Sequence, residues 1–144
     1  MNIKPIVPIY FVDNFVPPSP IFIEEWRLVD LQGVVKNYYW ISNSGKLKNI
    51  KGQIIKPQLI NSGYYVYKLY TGSKKSGDKY KTVLVHRLVK LFFDPIPNPD
   101  LFTVNHDDLD HSNNYDYNLT WMTQAENNEH KYQNLHVYGY NHYI

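Results

Sequence analysis

The sequence predicts an α+β fold in which a small, tyrosine-rich antiparallel sheet is followed by a β-hairpin and a helix. The chain has 144 residues, of which 43% are apolar and 19% charged, values typical of a folded domain rather than a disordered chain. Its 14 tyrosines are amphipathic rings that suit a half-buried sheet. Short segments of strand-like pattern, bounded by turn residues, fill the middle of the chain and helical patterns follow them.

The first part of the chain is rich in proline. Five of the nine prolines lie within residues 1–22. Since proline fixes its own backbone angle and lacks an amide donor, we expect residues 1–23 to form an extended arm. No apolar run approaches the roughly 18–20 residues that span a bilayer, and the N-terminus has no continuous apolar core. We therefore expect a cytoplasmic-type protein that is not secreted and has no membrane partner.

Residues 24–82 predict an N-terminal β module. Residues 38–50 have a hairpin pattern with a polar break, Ser-Asn-Ser-Gly, between two apolar segments. Gly63 marks a turn before an alternating strand at 64–70. A further strand at 80–85 leads directly into a short helix, which ends before the proline-rich stretch that begins at Asp94.

Residues 83–133 predict a second unit, followed by a tail at 134–144. Strands are expected at Phe102–His106 and Asn118–Met122, on either side of a long polar turn. Thr123 and Glu126 fit a capping box, which predicts a helix that begins at about residue 124.

This predicted helix places two candidate metal-binding side chains together. Asn127 and His130 are three residues apart and so share one helix face. Asn127 is an unfavourable helix former, which favours a functional role for it. His130 is equally compatible with a ligand and with a solvent-facing histidine. His106, at the end of the preceding strand, can converge on the same point.

Charge is segregated along the chain although the net charge is only +2. From residue 46 to residue 90 there are eleven basic residues and one acid, whereas residues 91–130 contain eight acids and no lysine or arginine. A basic half interleaved with tyrosines suits a polyanion, and an acidic half with histidines suits a cation. Two solvated faces of opposite charge would give the same counts. The chain has no cysteine, which excludes disulfides and thiolate zinc sites.

Two long segments resemble a known family. The stretch "VHRLVKLFFDPIPNPDLFTVNHDDLDHSNNYDYNLTWMTQAENNEH" resembles the HNH endonucleases of the phage and intron-homing type, which have the ββα-metal fold. The upstream "EEWRLVD", "YYWISNSGKLKNI" and "IIKPQLINSGYYVYKLY" are similar to the modular N-terminal motif of those nucleases. Together the two segments cover residues 24–131. The resemblance implies a DNA endonuclease of a virus or mobile element, acting as a monomer on duplex DNA.

The resemblance also implies roles for individual residues. His106 would be the general base that deprotonates water, and Asn118 would brace the hairpin and orient His106. Asn105 and Asn127 would hold one divalent ion, with His130 as an alternative or additional ligand. The basic sheet would track phosphates through Lys46, Lys48, Lys56, Lys68, Lys81 and Arg87.

The implied ligands are uncharged, whereas Mg²⁺ prefers anionic oxygen. We therefore expect weak binding of Mg²⁺, with substrate phosphate supplying charge, and expect Mn²⁺ or another transition ion to compete if His130 is a ligand. The acidic neighbours Asp107 and Asp108 predict a raised pKa for His106. Leu109 stands where relatives often have glycine, which predicts a turn rebuilt by nearby polar residues or a distorted loop.

Two other functions are compatible with the sequence. A catalytically inactive nucleic-acid-binding protein would keep the fold without the metal, and a protein that stacks single-stranded RNA on its tyrosines would use the basic sheet. The chain ends about 14 residues after His130, from which we expect no helix-turn-helix module. We therefore expect either low sequence specificity or recognition that relies on the sheet and the N-terminal arm.

Overall fold

The computed structural model describes residues 21–75 and 77–137, the last four of these by their backbone alone. Within these residues the chain forms three antiparallel sheets, two α-helices and two single-turn 3₁₀ helices. Most of the predicted arm and the end of the predicted tail lie outside the described residues.

The first sheet contains the predicted hairpin. Its strands, paired in chain order, are β1 (Trp26–Leu28), β2 (Tyr39–Ser42), β3 (Leu47–Asn49) and β4 (Ile54–Ile55). Ile41 pairs with Leu47, and both side chains are fully buried. The hairpin prediction is therefore confirmed, with the turn at the predicted polar break.

The second sheet leads into the first helix. It consists of β5 (Gln58–Leu59), β6 (Tyr65–Tyr70) and β7 (Tyr80–Leu84), again in chain order. Helix α1 (Val85–Phe93) begins immediately after β7 and ends before Asp94, as the sequence predicts. The alternation of β6 buries Tyr67 and Leu69 and exposes Lys68 between them.

The third sheet is the predicted C-terminal hairpin, formed by β8 (Thr103–His106) and β9 (Leu119–Met122). Short 3₁₀ turns at Pro99–Leu101 and Asp116–Asn118 precede the two strands. Helix α2 (Gln124–Val137) follows β9. Its capping box is formed reciprocally: the Glu126 amide donates to Thr123 Oγ1 at 3.1 Å, and the Thr123 amide donates to Glu126 Oε1 at 2.8 Å.

Buried apolar side chains from all three sheets surround α1. Leu88 and Val89 of this helix pack in one cluster with residues such as Ile41, Leu69 and Leu119. The cluster thus crosses the predicted boundary at residues 82/83. That boundary stays a prediction, but the two units share a core.

Lys90 of α1 is buried and paired. Its Nζ lies 3.0 Å from Asp94 Oδ2 and 3.1 Å from Asp116 Oδ1. Because Asp116 belongs to the loop before β9, the ion pair ties that loop to α1.

Candidate active site

His106 is the last residue of β8 and is almost completely buried. Its Nε2 lies 2.7 Å from the side-chain oxygen of Asn114, in the loop between β8 and β9. An amide oxygen only accepts hydrogen bonds, so Nε2 carries the proton and Nδ1 keeps its lone pair. Sequence reasoning missed Asn114; its spacing eight residues after His106 has no local periodicity that would single it out.

The pKa of His106 is lowered from its ordinary value because burial disfavours the imidazolium form. The hydrogen bond with Asn114 and the charges of Asp108 and Asp110 act in the opposite direction, and the charge of His111 adds to the lowering. The prediction of a raised pKa is therefore wrong. The prediction rested on the acidic residues that are next to His106 in the sequence, whereas burial of the ring by other elements has the larger effect on its pKa.

Three further rings surround His106. Its ring centroid lies 4.6 Å from that of His86 in α1, 5.2 Å from His111 and 6.0 Å from Tyr64. Tyr64 stacks on His111 at 4.1 Å with nearly parallel planes. Burial, followed by nearby positive charges, lowers the pKa of His86 to about 3, so this ring stays neutral beside His106.

Asn105 and Asn127 lie on the same side of the C-terminal hairpin. Side chains alternate along a strand, so Asn105 shares a face with Thr103. Asn127 Nδ2 donates to Thr103 Oγ1 at 3.2 Å, which identifies this face as the one that α2 covers. Both asparagines are buried.

Asn127 has an atom suited to a cation. Its Oδ1 is buried and makes no hydrogen bond. The residue lines a cavity of about 200 Å³, together with Tyr64 and His86, the two rings that also contact His106. A buried amide oxygen without a partner is a ligand type that hard divalent ions accept. Two cationic side chains, those of Arg87 and Lys131, also line the cavity, so a cation there would need an anionic partner.

The remaining donors at this site are mostly uncharged. In residues 21–75 and 77–137 no group of three or more His, Cys, Asp or Glu side chains is arranged to hold a metal ion. A cation in this cavity would therefore rely on the amide oxygen of Asn127, because Asn105 and the half-buried His130 are not among the residues that line it. The Asn105 side chain instead donates to Asp107 Oδ1 at 3.2 Å. The ligand roles of Asn105, Asn127 and His130 stay predictions.

Asn118 braces the loop rather than contacting the imidazole. Its side chain accepts from the Asp108 amide at 3.2 Å and donates to Asp108 Oδ1 and to the Asn113 carbonyl, each at 2.9 Å. The predicted orientation of His106 by Asn118 would thus act through the loop that carries Asn114.

The same loop accommodates Leu109 in an unusual conformation. Leu109 has φ of 63°, in the left-handed region that glycine adopts without strain. Asp108 and Asp110 accept hydrogen bonds from amides and side chains around the turn, including Asn113 and Ser112. Polar residues thus rebuild the turn, which is the first of the two alternatives that the sequence left open. Leu109 adopts the backbone angle that glycine would have at this position.

The predicted phosphate contacts differ in their surroundings. Lys56 and Lys68 are exposed. Lys46 lies 3.7 Å from Glu24, Lys48 packs 4.2 Å above the Trp26 ring, and Lys81 donates to the Gln32 carbonyl at 2.9 Å.

Arg87 has a different environment from the lysines. Its guanidinium donates to the Phe102 carbonyl at 2.9 Å and to the Pro99 carbonyl at 2.8 Å, and it lies over the Trp121 ring. These contacts attach the segment before β8 to α1. Contacts of Arg87 and the five lysines with DNA stay predictions.

The fold and parts of the sequence match known nucleases. A solved structure described as "DNA binding and cleavage by the HNH homing endonuclease I-HmuI" superposes with a TM-score of 0.61 at 33% identity, covering 80% of this chain and 59% of that chain. The NUMOD4 motif matches residues 24–70, beginning where the predicted N-terminal module begins. The chain is therefore a homologue of the HNH endonucleases with a NUMOD4 motif, which confirms the resemblance.

Two curated relatives are viral. They are named uncharacterized HNH endonucleases L245 and L247 of Acanthamoeba polyphaga mimivirus. The first is 40% identical over 98 residues, or 67% of this chain, and the second is 34% identical over 112 residues, or 77% of it. The aligned part spans only 27% of each relative's length. Among the described residues no helix is long and apolar enough to cross a membrane.

Proposed function

We propose that the chain cleaves DNA by hydrolysing a phosphodiester bond, with His106 as the general base. The observation that carries this proposal is the buried imidazole whose Nε2 is held by Asn114 at 2.7 Å. Because the proton lies on Nε2, Nδ1 is the atom that would take a proton from water. The lowered pKa supports this role, since burial favours the neutral form of the ring, which is the form that can accept a proton.

The proposal includes one divalent ion near the base. Asn105 and Asn127 would hold it through their side-chain oxygens, with His130 as an additional ligand. When bound, such an ion neutralises charge that develops on the scissile phosphate. The unpartnered, buried Oδ1 of Asn127 supports this assignment. Mg²⁺ is the first candidate, and Mn²⁺ becomes the better one if the imidazole of His130 binds.

Duplex DNA is the proposed substrate and a monomer the proposed active form. The structural neighbour binds and cleaves DNA, and the mimivirus relatives favour action in the host cell of a virus. The exposed Lys56 and Lys68 are the best-placed phosphate contacts, since the other predicted cations already contact protein groups. Asn118 would act as a positioning residue through the loop.

Relaxation of supercoiled plasmid with Mg²⁺ or Mn²⁺ tests the proposal. The unaltered chain should nick the plasmid, and His106→Ala should lower the rate on the order of 10²–10⁴-fold, as expected for loss of a general base. Asn127→Ala should also abolish nicking. Asn128→Ala is its matched control, because Asn128 is the exposed neighbour on the same helix. Equal rates for His106→Ala and the unaltered chain would refute the assignment of the base.

A catalytically inactive DNA-binding protein is the second candidate. The uncharged set of cation donors favours it, since in the described part of the chain no three His, Cys, Asp or Glu side chains are arranged to hold a metal ion. This protein would bind plasmid in a mobility-shift experiment and leave it supercoiled with every divalent ion.

A further inference from the structure

The turn between β2 and β3 lies against the loop that holds the proposed base. Gly45 of this turn has φ of 92°. A Cβ atom at Gly45 would lie 2.9 Å from the Asn114 Cβ, a distance that real Cβ atoms essentially never show. It would also lie 3.3 Å from the Asn114 carbonyl oxygen and 3.4 Å from Val85 Cγ1, both of which are tight contacts. Glycine is therefore required at position 45 both by the backbone angle of the turn and by the closeness of Asn114. Asn114 is the residue that is hydrogen-bonded to His106.

Other glycines with positive φ show that this crowding is specific. Gly52, Gly72 and Gly77 have φ of 78°, 82° and 91°, and a Cβ at any of them would meet nothing within 4 Å. At these three positions the backbone angle alone explains why the residue is glycine. Gly45 carries the additional requirement of space for Asn114.

Both sides of the contact are firmly held. The Gly45 carbonyl accepts a hydrogen bond from the buried hydroxyl of Tyr67 at 2.7 Å, and burial raises the pKa of Tyr67 to about 12, so the hydroxyl remains a donor. On the loop side, the Asp116 amide donates to the Asn43 carbonyl at 2.8 Å. The turn thus contacts the loop at two places, at Asn114 and at Asp116.

Tyr64 makes a second connection from the same module. Its ring stacks on His111, and the Gly63 carbonyl lies 3.3 Å from His111 Nδ1. His111 in turn contacts the His106 ring. Gly45 and Tyr64 both lie within the segment that matches the NUMOD4 motif.

We infer that the NUMOD4 segment is a positioning part of the nuclease centre, in which the Gly45 turn seats Asn114 and thereby fixes the tautomer and orientation of His106. Gly45 is a positioning residue that acts through Asn114. This inference rests on the proposed function for its catalytic meaning, but the geometry it describes can be measured without DNA.

Proton–nitrogen correlation spectra of the imidazole rings test the inference on the full chain without added metal. The unaltered chain should show neutral His106 protonated at Nε2. Gly45→Ala should displace Asn114 and produce a mixture of tautomers, as Asn114→Ala should. Gly52→Ala is the matched control, because it has the same backbone strain without the crowding, and it should leave the spectrum unchanged.

Plasmid nicking gives the second measurement. Gly45→Ala should lower kcat on the order of 10- to 100-fold with little change in KM, the size expected for a misplaced catalytic group. Combined with Asn114→Ala it should cause no further loss, since both substitutions remove the same hydrogen bond. A tautomer and rate equal to those of Gly52→Ala would overturn the inference.

Tyr67→Phe tests the same turn if Gly45→Ala does not fold. It removes the hydroxyl that holds the Gly45 carbonyl and introduces no backbone strain. We expect a shift toward mixed tautomers and a rate loss on the order of threefold, the size expected for one neutral hydrogen bond. An unaltered spectrum and rate would overturn the inference. Absence of nicking by the unaltered chain would instead refute the proposed function and leave the tautomer result to decide the positioning role.

Discussion

Helices α1 and α2 differ in what holds them in place. Helix α1 has five buried residues but no side-chain cap at its N-terminus. Helix α2 has a complete capping box, and in its first ten residues only Asn127 is buried. Burial therefore holds α1 at the centre of the core, whereas a local capping box determines where α2 begins. Core packing is not the main support of α2, so its one buried side chain among these ten residues can serve another role.

The largest change in the free energy of unfolding is expected for substitutions on the buried face of α1. Leu88→Ala should lower the free energy of unfolding by about 2–5 kcal/mol, because Leu88 is fully buried among apolar side chains from all three sheets. Urea unfolding measures this change. Glu129→Ala on the exposed face of α2 is the control, expected within about 0.5 kcal/mol. Similar losses at the two positions would refute the contrast between the helices.

Acid should also destabilise the protein through α1. The pKa of His86 is about 3 in the folded chain because of burial, against an ordinary value of 6.5. The unfolded chain therefore binds more protons between these values, and stability falls as pH falls through this window. The expected contribution is a loss of about 2 kcal/mol between pH 7 and pH 5.

Urea unfolding at both pH values, without divalent ions, measures this loss. His86→Gln cannot titrate, so the difference between the two chains isolates the histidine from other groups. An equal dependence on pH in both chains would show that His86 contributes nothing to it.

A smaller effect is expected at the start of α2. Thr123→Ala removes the hydroxyl that accepts from the Glu126 amide and should cost about 1 kcal/mol. Thermal unfolding measures the change. Thr123→Ser keeps the hydroxyl and should behave like the unaltered chain; a loss as large as that of alanine would mean that the methyl group, not the cap, is responsible.

The smallest effect on stability is expected at Asn127 itself. Asn127→Ala removes one hydrogen bond of 3.2 Å, but it also removes a buried oxygen without a partner and an unfavourable helix former. We expect a change within about 0.5 kcal/mol, together with the loss of nicking. Asn128→Ala should be equally mild in urea unfolding. A loss above about 2 kcal/mol for Asn127→Ala alone would make this asparagine structural.

The features that sequence predicted are those that neighbouring residues determine. The capping box lies within four residues, and the Ser42–Gly45 turn within a single hairpin. The resemblance named His106, Asn105 and Asn127 because these residue types recur at fixed positions in the family. Their placement around the C-terminal hairpin follows from the order of strand, strand and helix.

The features that sequence missed depend on distant parts of the chain. Gly45 and Asn114 are in contact although 69 positions separate them along the chain. Tyr64, which directly precedes β6, contacts the imidazoles from the N-terminal module. The charged neighbours of His106 predicted a raised pKa, but burial by other elements lowers it.

Local pattern and residue type were enough to predict the α+β class, the main strands, the capped helix and the residues of the proposed chemistry. Three features became visible only in the folded structure: the side chain that is hydrogen-bonded to His106, the direction in which the pKa of His106 shifts, and the contact of the N-terminal module with the loop around His106. The physical reason is that hydrogen-bond partners and desolvation arise from packing between elements, and packing joins residues that no local spacing relates.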